Sequence, residues 1–277
     1  MIEQMEALIT IAKDAGTAIL EVYEKEDFGI EIKADESPLT KADLAAHEII
    51  LAGLNKIAPD IPVLSEESTE IPFSERRKWQ RYFLVDPLDG TKEFINRNGE
   101  FTVNIALIDE GTPVMGVVYV PVKAVTYAGQ QLEESSAFVE RDGDRFEISS
   151  RNLQQRLRSN EPLTIVASRR HGGEALQACL KVLEKKFSAV ESTNMGSSLK
   201  LCLVAEGKAD LYPRLAPTSE WDTAAAQAVV EAAGGRVVDM SLMPLRYNSK
   251  DSLLNPFFYV IGDKSFPWND ILSGITP

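Results

Sequence analysis

Ile2, Met5, Leu8, Ile9, Ala12, Ile19 and Val22 recur at helical spacing, which predicts an amphipathic helix over residues 2–24. Residues 25–38 are polar and read as a loop or a short strand around Ile30 and Ile32. Thr40 then stands where a helix N-cap belongs, with Asp43 three residues on. Leu44, Ile50, Leu51, Leu54 and Ile57 carry this second helix to a stop at residues 59–62. A short apolar segment, Val63-Leu64, leads into Ser65-Glu66-Glu67-Ser68, and the run Tyr82-Phe83-Leu84-Val85 predicts a strand. The alternation of Phe101, Val103, Ile105 and Leu107 predicts a half-buried one. Residues 114–120 and 124–128 extend the strand-rich region around Pro121, and Arg141-Asp142-Gly143-Asp144 is a hairpin-turn signal.

Near residue 151 the texture changes. Residues 163–167, 209–212, 236–238 and 257–261 read as strands, and 173–185, 197–206 and 223–233 as helices, the last stopped by Gly234-Gly235. This alternation is of the α/β type. The polar stretch 149–161 is the best candidate boundary, giving an N-terminal α+β part, 1–155, and a C-terminal α/β part, 156–277.

Composition narrows the chemistry. The 277 residues allow one large or two small domains. A net charge of −13 argues against a general nucleic-acid binder, which needs a basic face. Phosphate substrates stay open, because a bound metal reverses the local sign. No apolar run reaches the roughly 18 residues of a membrane span. The start of the chain lacks the pattern of a signal peptide, so a cytoplasmic location is expected, with peripheral attachment at the inner membrane as an alternative. Cys179 and Cys202 sit in apolar helical segments and read as core thiols. With two histidines besides, transition-metal ligands are few, and oxygen ligation of Mg²⁺ is the default for any metal.

The candidate chemistry is acidic. In Asp86-Pro87-Leu88-Asp89-Gly90-Thr91, two carboxylates follow an apolar strand and are expected outside the sheet edge, where open α/β sheets bind ligands. Gly90 lets the backbone approach a ligand, and a helix starting at Thr91 would offer N–H groups to an anion. Glu66-Glu67 and Glu220-Trp221-Asp222-Thr223 add acids after and before other elements, where they read equally as solvated loop acids or a helix cap. Two unit charges roughly 4 Å apart repel by about 4 kcal/mol at an effective dielectric of about 20, so convergence of four carboxylates would call for divalent cations.

On Ser65-Glu66-Glu67-Ser68, Asp86-Pro87-Leu88-Asp89-Gly90-Thr91 and Trp221-Asp222, in that order, the sequence resembles the inositol monophosphatase superfamily of Mg²⁺-dependent, lithium-sensitive phosphomonoesterases. Ser37-Pro38-Leu39-Thr40-Lys41-Ala42-Asp43, Gly196-Ser197-Ser198-Leu199-Lys200 and Ala209-Asp210-Leu211-Tyr212-Pro213-Arg214 resemble the bacterial 3'(2'),5'-bisphosphate nucleotidases within it. The resemblance implies an α/β fold built as a layered α-β-α-β-α sandwich, occurring as monomer or homodimer. It implies hydrolysis of adenosine 3',5'-bisphosphate, a by-product of sulfate activation and phosphopantetheine transfer, with two or three Mg²⁺ ions.

By the same resemblance, Glu66, Asp86 and the Leu88 carbonyl would hold one Mg²⁺, and Asp86, Asp89 and Asp222 a second. Gly90 and Thr91 N–H groups would grip the phosphate, and Asp43 with the Thr91 hydroxyl would activate water. Asp43 also reads as the acid of a cap begun by Thr40. Ser197, Lys200 and Arg214 would hold the remaining 5'-phosphate, and His171 would approach the adenosine; ordinary surface charge and an incidental loop histidine are the plain alternatives. Two other phosphate chemistries fit poorly. The Asp-x-Asp-x-Thr of haloacid dehalogenases is missed by one residue, and neither G-x-x-x-x-G-K-[ST] nor G-x-G-x-x-G occurs. A non-catalytic metal or nucleotide binder would need no water-activating pair.

Overall fold

The computed structural model describes residues 2–25, 28–29, 31–32, 38–68, 71–132, 134–167, 173–273 and 275. Its elements in chain order are α1 (Ile2–Tyr23), β1 (Glu31–Ile32), β2 (Pro38–Leu39), α2 (Lys41–Ile57), β3 (Val63–Ser65), α3 (Phe73–Arg76), β4 (Arg81–Asp89) and α4 (Thr91–Ile95). Then come β5 (Thr102–Asp109), β6 (Thr112–Val120), β7 (Val125–Gln130), β8 (Ser136–Arg141), β9 (Asp144–Glu147), α5 (Leu153–Arg158), β10 (Leu163–Ala167) and α6 (Glu174–Lys186). The chain finishes with β11 (Val190–Asn194), α7 (Leu199–Ala205), β12 (Leu211–Arg214), α8 (Ala224–Ala232), β13 (Arg236–Asp239), β14 (Phe258–Ile261) and α9 (Asn269–Leu272).

Strands β3 to β9 form a seven-stranded sheet in sequence order, antiparallel except for the parallel β3–β4 pair. A five-stranded sheet has the order β11-β10-β12-β14-β13. Helices α1 and α2 bury Leu8, Ala12, Ile19, Ile50 and Leu54 against one face of the large sheet. Its other face packs on α7 and α8, which also touch the small sheet through Val166, Tyr212, Val237 and Val260. Helices α5, α6 and α9 cover the outer face of the small sheet with Leu153, Cys179, Leu183 and Leu272. The result is the α-β-α-β-α sandwich that the resemblance implies.

Burial on both faces explains why β4 reads as an unbroken apolar run. Phe83 and Val85 point to α1 and α2, and Tyr82 and Leu84 to the α7–α8 layer. It also corrects the expectation for β5, which is buried on both faces rather than one: Val103, Ile105 and Leu107 face α1 and α2, whereas Ala106 and Ile108 face α8. The covering helix α8 comes from more than a hundred residues downstream. It lies so close to β6 that a Cβ on Gly116 would stand 2.1 Å from the Ala225 carbonyl oxygen.

Other boundaries differ locally. β4 runs on through Asp89 with a bulge between Asp86 and Asp89, so these acids sit in the irregular end of a strand and not beyond it. The hairpin turn Asp142-Gly143 has both residues at positive φ, as a tight two-residue connection requires. The edge strand β11, Val-Glu-Ser-Thr-Asn, is too polar to show a pattern, and α5 is a short capped helix with one buried residue, Leu153. Cys179 and Cys202 are buried and unpaired by disulfide, as expected. No helix among the described residues is long and apolar enough to cross a membrane.

Candidate active site

Several chain segments end at one edge of the sandwich. Because β3 and β4 run parallel with Ser65 beside Val85, the next residues, Glu66 and Asp86, follow side by side, Glu66 in the turn after β3 and Asp86 still in β4 opposite Asn104. Asp86 is 1% exposed. Its Oδ1 accepts the Leu88 N–H at 3.0 Å, which tightens the Asp-Pro-Leu bulge and fixes the direction of the following Asp89. Gly90 adopts φ +95° and starts α4, a conformation for which glycine is suited.

Asp43 and Asp222 are placed by the same device. In each case the carboxylate closes a capping box at a helical start: Asp43 Oδ2 accepts the Thr40 N–H at 2.7 Å, and Asp222 Oδ2 accepts the Ser219 N–H at 2.9 Å. Asp43 Oδ2 also accepts the Thr40 hydroxyl at 2.6 Å, while Oδ1 faces the Thr91 hydroxyl at 3.4 Å. Thr91 Oγ1 is equally 3.4 Å from the Leu88 carbonyl. The cap and the contact with Thr91 therefore use different oxygens of Asp43.

The carboxylates act on one another. Burial pushes Asp86 well above the ordinary carboxylate range, and Glu66, Asp89, Asp222 and Asp43 add to the shift. Asp222 is pushed up to about 8 by burial first and then by Asp89 and Glu66, against the Ser219 N–H that favours its charged form. Among the described residues, no three His, Cys, Asp or Glu side chains already close a metal cage. The donors are nonetheless hard oxygens of carboxylate and carbonyl, and their charged forms stabilise only when positive charge is added. This donor set fits a divalent Mg²⁺-like cation and suits soft metals poorly.

Asp89 is held by residues that the sequence did not single out. The Ser198 N–H donates to Asp89 Oδ2 at 2.6 Å, and Thr102 and Asn104 approach the same oxygen at 3.4 Å. Ser198 Oγ meets Thr102 Oγ1 at 2.8 Å and Asn104 Oδ1 at 3.0 Å. The signal was present as Phe-Thr-Val-Asn-Ile, whose polar positions fall on one face of β5. Glu100 Oε2 accepts the Gly196 N–H at 2.7 Å, docking the loop before α7 beside Gly90.

A cavity of about 70 Å³ opens next to the acids, lined by Asp89, Ser197, Lys200, Tyr212, Arg214 and Asp222. Ser197 Oγ and Arg214 Nε are buried without a hydrogen-bond partner among the described residues. Lys200 is 7% exposed, lies 5.9 Å from the Tyr212 ring centroid and makes a long contact of 3.4 Å to the Met195 carbonyl. Burial lowers its pKa to about 8, with Arg214 adding to the effect and Asp89 opposing it. His171 lies outside the described residues.

A two-sheet sandwich that gathers acids beside a buried cationic pocket is suited to phosphate esters. Comparison with known proteins places it more closely. The inositol monophosphatase family profile matches residues 1–261, and the chain belongs to that family. The 3'(2'),5'-bisphosphate nucleotidase CysQ of Escherichia coli K12 is 48% identical over 257 residues, 92% of this chain and 98% of its own. The protein of that name from Haemophilus influenzae is 36% identical, covering 95% and 94%. The crystal structure of CysQ from Bacteroides thetaiotaomicron matches with a TM-score of 0.80 at 45% identity over 95% of this chain and 98% of that one. An inositol monophosphatase of Thermotoga maritima shares the fold, with a TM-score of 0.75 at 22% identity over 99% and 96%.

Proposed function

We propose that this protein is a Mg²⁺-dependent phosphomonoesterase that removes the 3'-phosphate of adenosine 3',5'-bisphosphate, yielding AMP and phosphate. Relatives at 48–49% identity over nearly their whole length carry the name 3'(2'),5'-bisphosphate nucleotidase. The observation that carries the reading is the shared pocket of Asp89 and Asp222 with Ser197, Lys200 and Arg214. A substrate with two phosphates needs a cation-supported site for one and a cationic side-chain site for the other. A monophosphate of inositol or a sugar leaves the second without a role.

In this reading Glu66, Asp86 and the Leu88 carbonyl would hold one Mg²⁺, and Asp86, Asp89 and Asp222 would hold another. Two or three such ions would supply the positive charge that attacking and leaving oxygens need in an in-line displacement. The chain's own groups do the rest. Asp43, steadied by its cap, takes a proton from the attacking water, and the Thr91 hydroxyl orients that water. Gly90 and Thr91 present backbone N–H groups to the 3'-phosphate. Ser197, Lys200 and Arg214 hold the 5'-phosphate, Arg214 as a fork and Lys200 as a point charge. The substrate arises where sulfate is activated or phosphopantetheine is transferred, and Li⁺ is expected to inhibit.

A phosphate-release panel tests this reading. Purified protein with Mg²⁺ should turn over adenosine 3',5'-bisphosphate well and inositol-1-phosphate or fructose bisphosphate poorly. The reverse order would overturn the substrate assignment.

A further inference from the structure

Asp222 is held from behind by a loop that is itself held by Arg76. Arg76 ends α3, the first helix after the Glu66 turn, and is 2% exposed. Its Nη1 donates to Asn248 Oδ1 at 2.6 Å and to the Lys250 carbonyl at 3.2 Å, and its Nη2 donates to the Asp251 carbonyl. Asn248 answers by donating Nδ2 to the Arg76 carbonyl at 2.6 Å. The backbone N–H of Asn248 then donates to Glu220 Oε2 at 2.8 Å, and Glu220 is 1% exposed.

The same loop grips both sides of Asp222. The Glu220 N–H donates to the Leu253 carbonyl at 2.8 Å. Asn255 Nδ2 donates to the Ser219 carbonyl at 2.7 Å and to Thr223 Oγ1 at 3.0 Å. Ser219 pairs with Leu254 as an isolated bridge. Residues 219, 220 and 223 are thus bonded to residues 248–255, and that segment is bonded to Arg76. A buried guanidinium is costly to desolvate, and that of Arg76 spends both Nη groups on Asn248 and the carbonyls of Lys250 and Asp251.

We infer that Arg76, through Asn248 and Glu220, is a positioning residue that sets Asp222 at the correct distance from Glu66 and Asp86. It ties the segment following one acid to the segment carrying another, across 172 residues of sequence. This inference rests on reading those acids as cation ligands. It assigns Arg76 and Asn248 to the second cation site alone, because the Glu66–Asp86 pair is set independently by the β3–β4 ladder.

The test uses Mn²⁺ alone as a spectroscopic probe, with free ion counted by electron paramagnetic resonance on the full-length protein. D222N first identifies which class of Mn²⁺ sites depends on Asp222. R76M removes the guanidinium while keeping a long stem. N248G removes the linking side chain at a residue with φ 54°, which glycine adopts freely. Both variants are expected to weaken the class lost in D222N by about tenfold or more, the scale of losing an outer partner of a metal ligand. The other class should stay within about twofold. If R76M does not fold, N248G carries the test. Equal weakening of both classes, or no change in N248G, overturns the positioning role. Wild-type protein that binds no Mn²⁺ overturns the reading of the acids and this inference with it, a result distinct from the other two.

Discussion

The Ser198 N–H donates to the Asp89 carboxylate at 2.6 Å, joining a strand end of the large sheet to the loop that begins α7, 109 residues away. One bond therefore ties the proposed cation site to the proposed 5'-phosphate site. With Thr102 and Asn104 on the same oxygen, Asp89 is aimed by three groups from two elements.

Replacing Asp89 with Asn should lower kcat by on the order of 10²–10³ or more, the loss that follows removal of one transition-state-stabilising group. Asn104→Leu should have a smaller effect, about 10–100-fold, because it only frees Asp89 to turn. Steady-state kinetics with circular dichroism separate these losses from unfolding. Normal turnover in the Asp89 variant would remove this residue from the site.

Asp86 and Asp222 make metal-free stability depend on pH. Their folded-state pKa values are raised, so the folded protein binds protons more tightly than the unfolded chain. Stability in chelator should fall as pH rises from the ordinary aspartate value through about 8. Mg²⁺ takes the place of those protons, so the rise in Tm on adding it should be larger at about pH 8 than at about pH 5.5. Thermal scans at the two pH values, with and without Mg²⁺, measure this. An equal rise at both would contradict the coupling.

Lys200 should control recognition of the second phosphate. Burial lowers its pKa to about 8 in the metal-free protein, and kcat/KM is expected to fall on the alkaline side, since the charged form is the phosphate binder. K200M should raise KM for adenosine 3',5'-bisphosphate by about 10–100-fold and flatten the limb, matching the loss of one charge-assisted contact of roughly 1.5–3 kcal/mol. A substrate lacking the 5'-phosphate should be much less affected. Equal loss on both substrates would move Lys200 to another role.

Gly116 tests the packing that brings α8 onto the sheet. The Cβ of G116A would press on the Ala225 carbonyl oxygen, and backbone cannot swing aside as a flexible side chain does. Overpacking of this kind costs about 3 kcal/mol. That corresponds to a fall in Tm of roughly 6–12 °C in a protein of this size. Calorimetry on the purified variant checks it; an unchanged Tm would mean that α8 lies further from β6.

What the chain makes legible on its own is local. Thr40 and Asp43 are close in sequence, so the cap can be read from neighbours, whereas the bulge that keeps Asp86 and Asp89 within β4 cannot. The bonds from Ser198 to Asp89, from Gly196 to Glu100 and from Arg76 to Asn248 span 109, 96 and 172 residues, so none is visible from neighbouring residues. The double burial of β5 is illegible in its own residues for the same reason, since its second cover is supplied by a distant helix. The polar edge strand β11 lacks any apolar pattern and is held by its ladder to β10.

The proposed activity of the acids gathered around Asp86 is cation-dependent removal of the 3'-phosphate from a bisphosphate nucleotide. Phosphorus NMR of adenosine 3',5'-bisphosphate with the purified protein reads it directly. With Mg²⁺, the 3'-phosphorus signal should give way to inorganic phosphate while the 5' signal persists, and neither should change in chelator. Loss of the 5' signal first, or hydrolysis that continues undiminished in chelator, would contradict it.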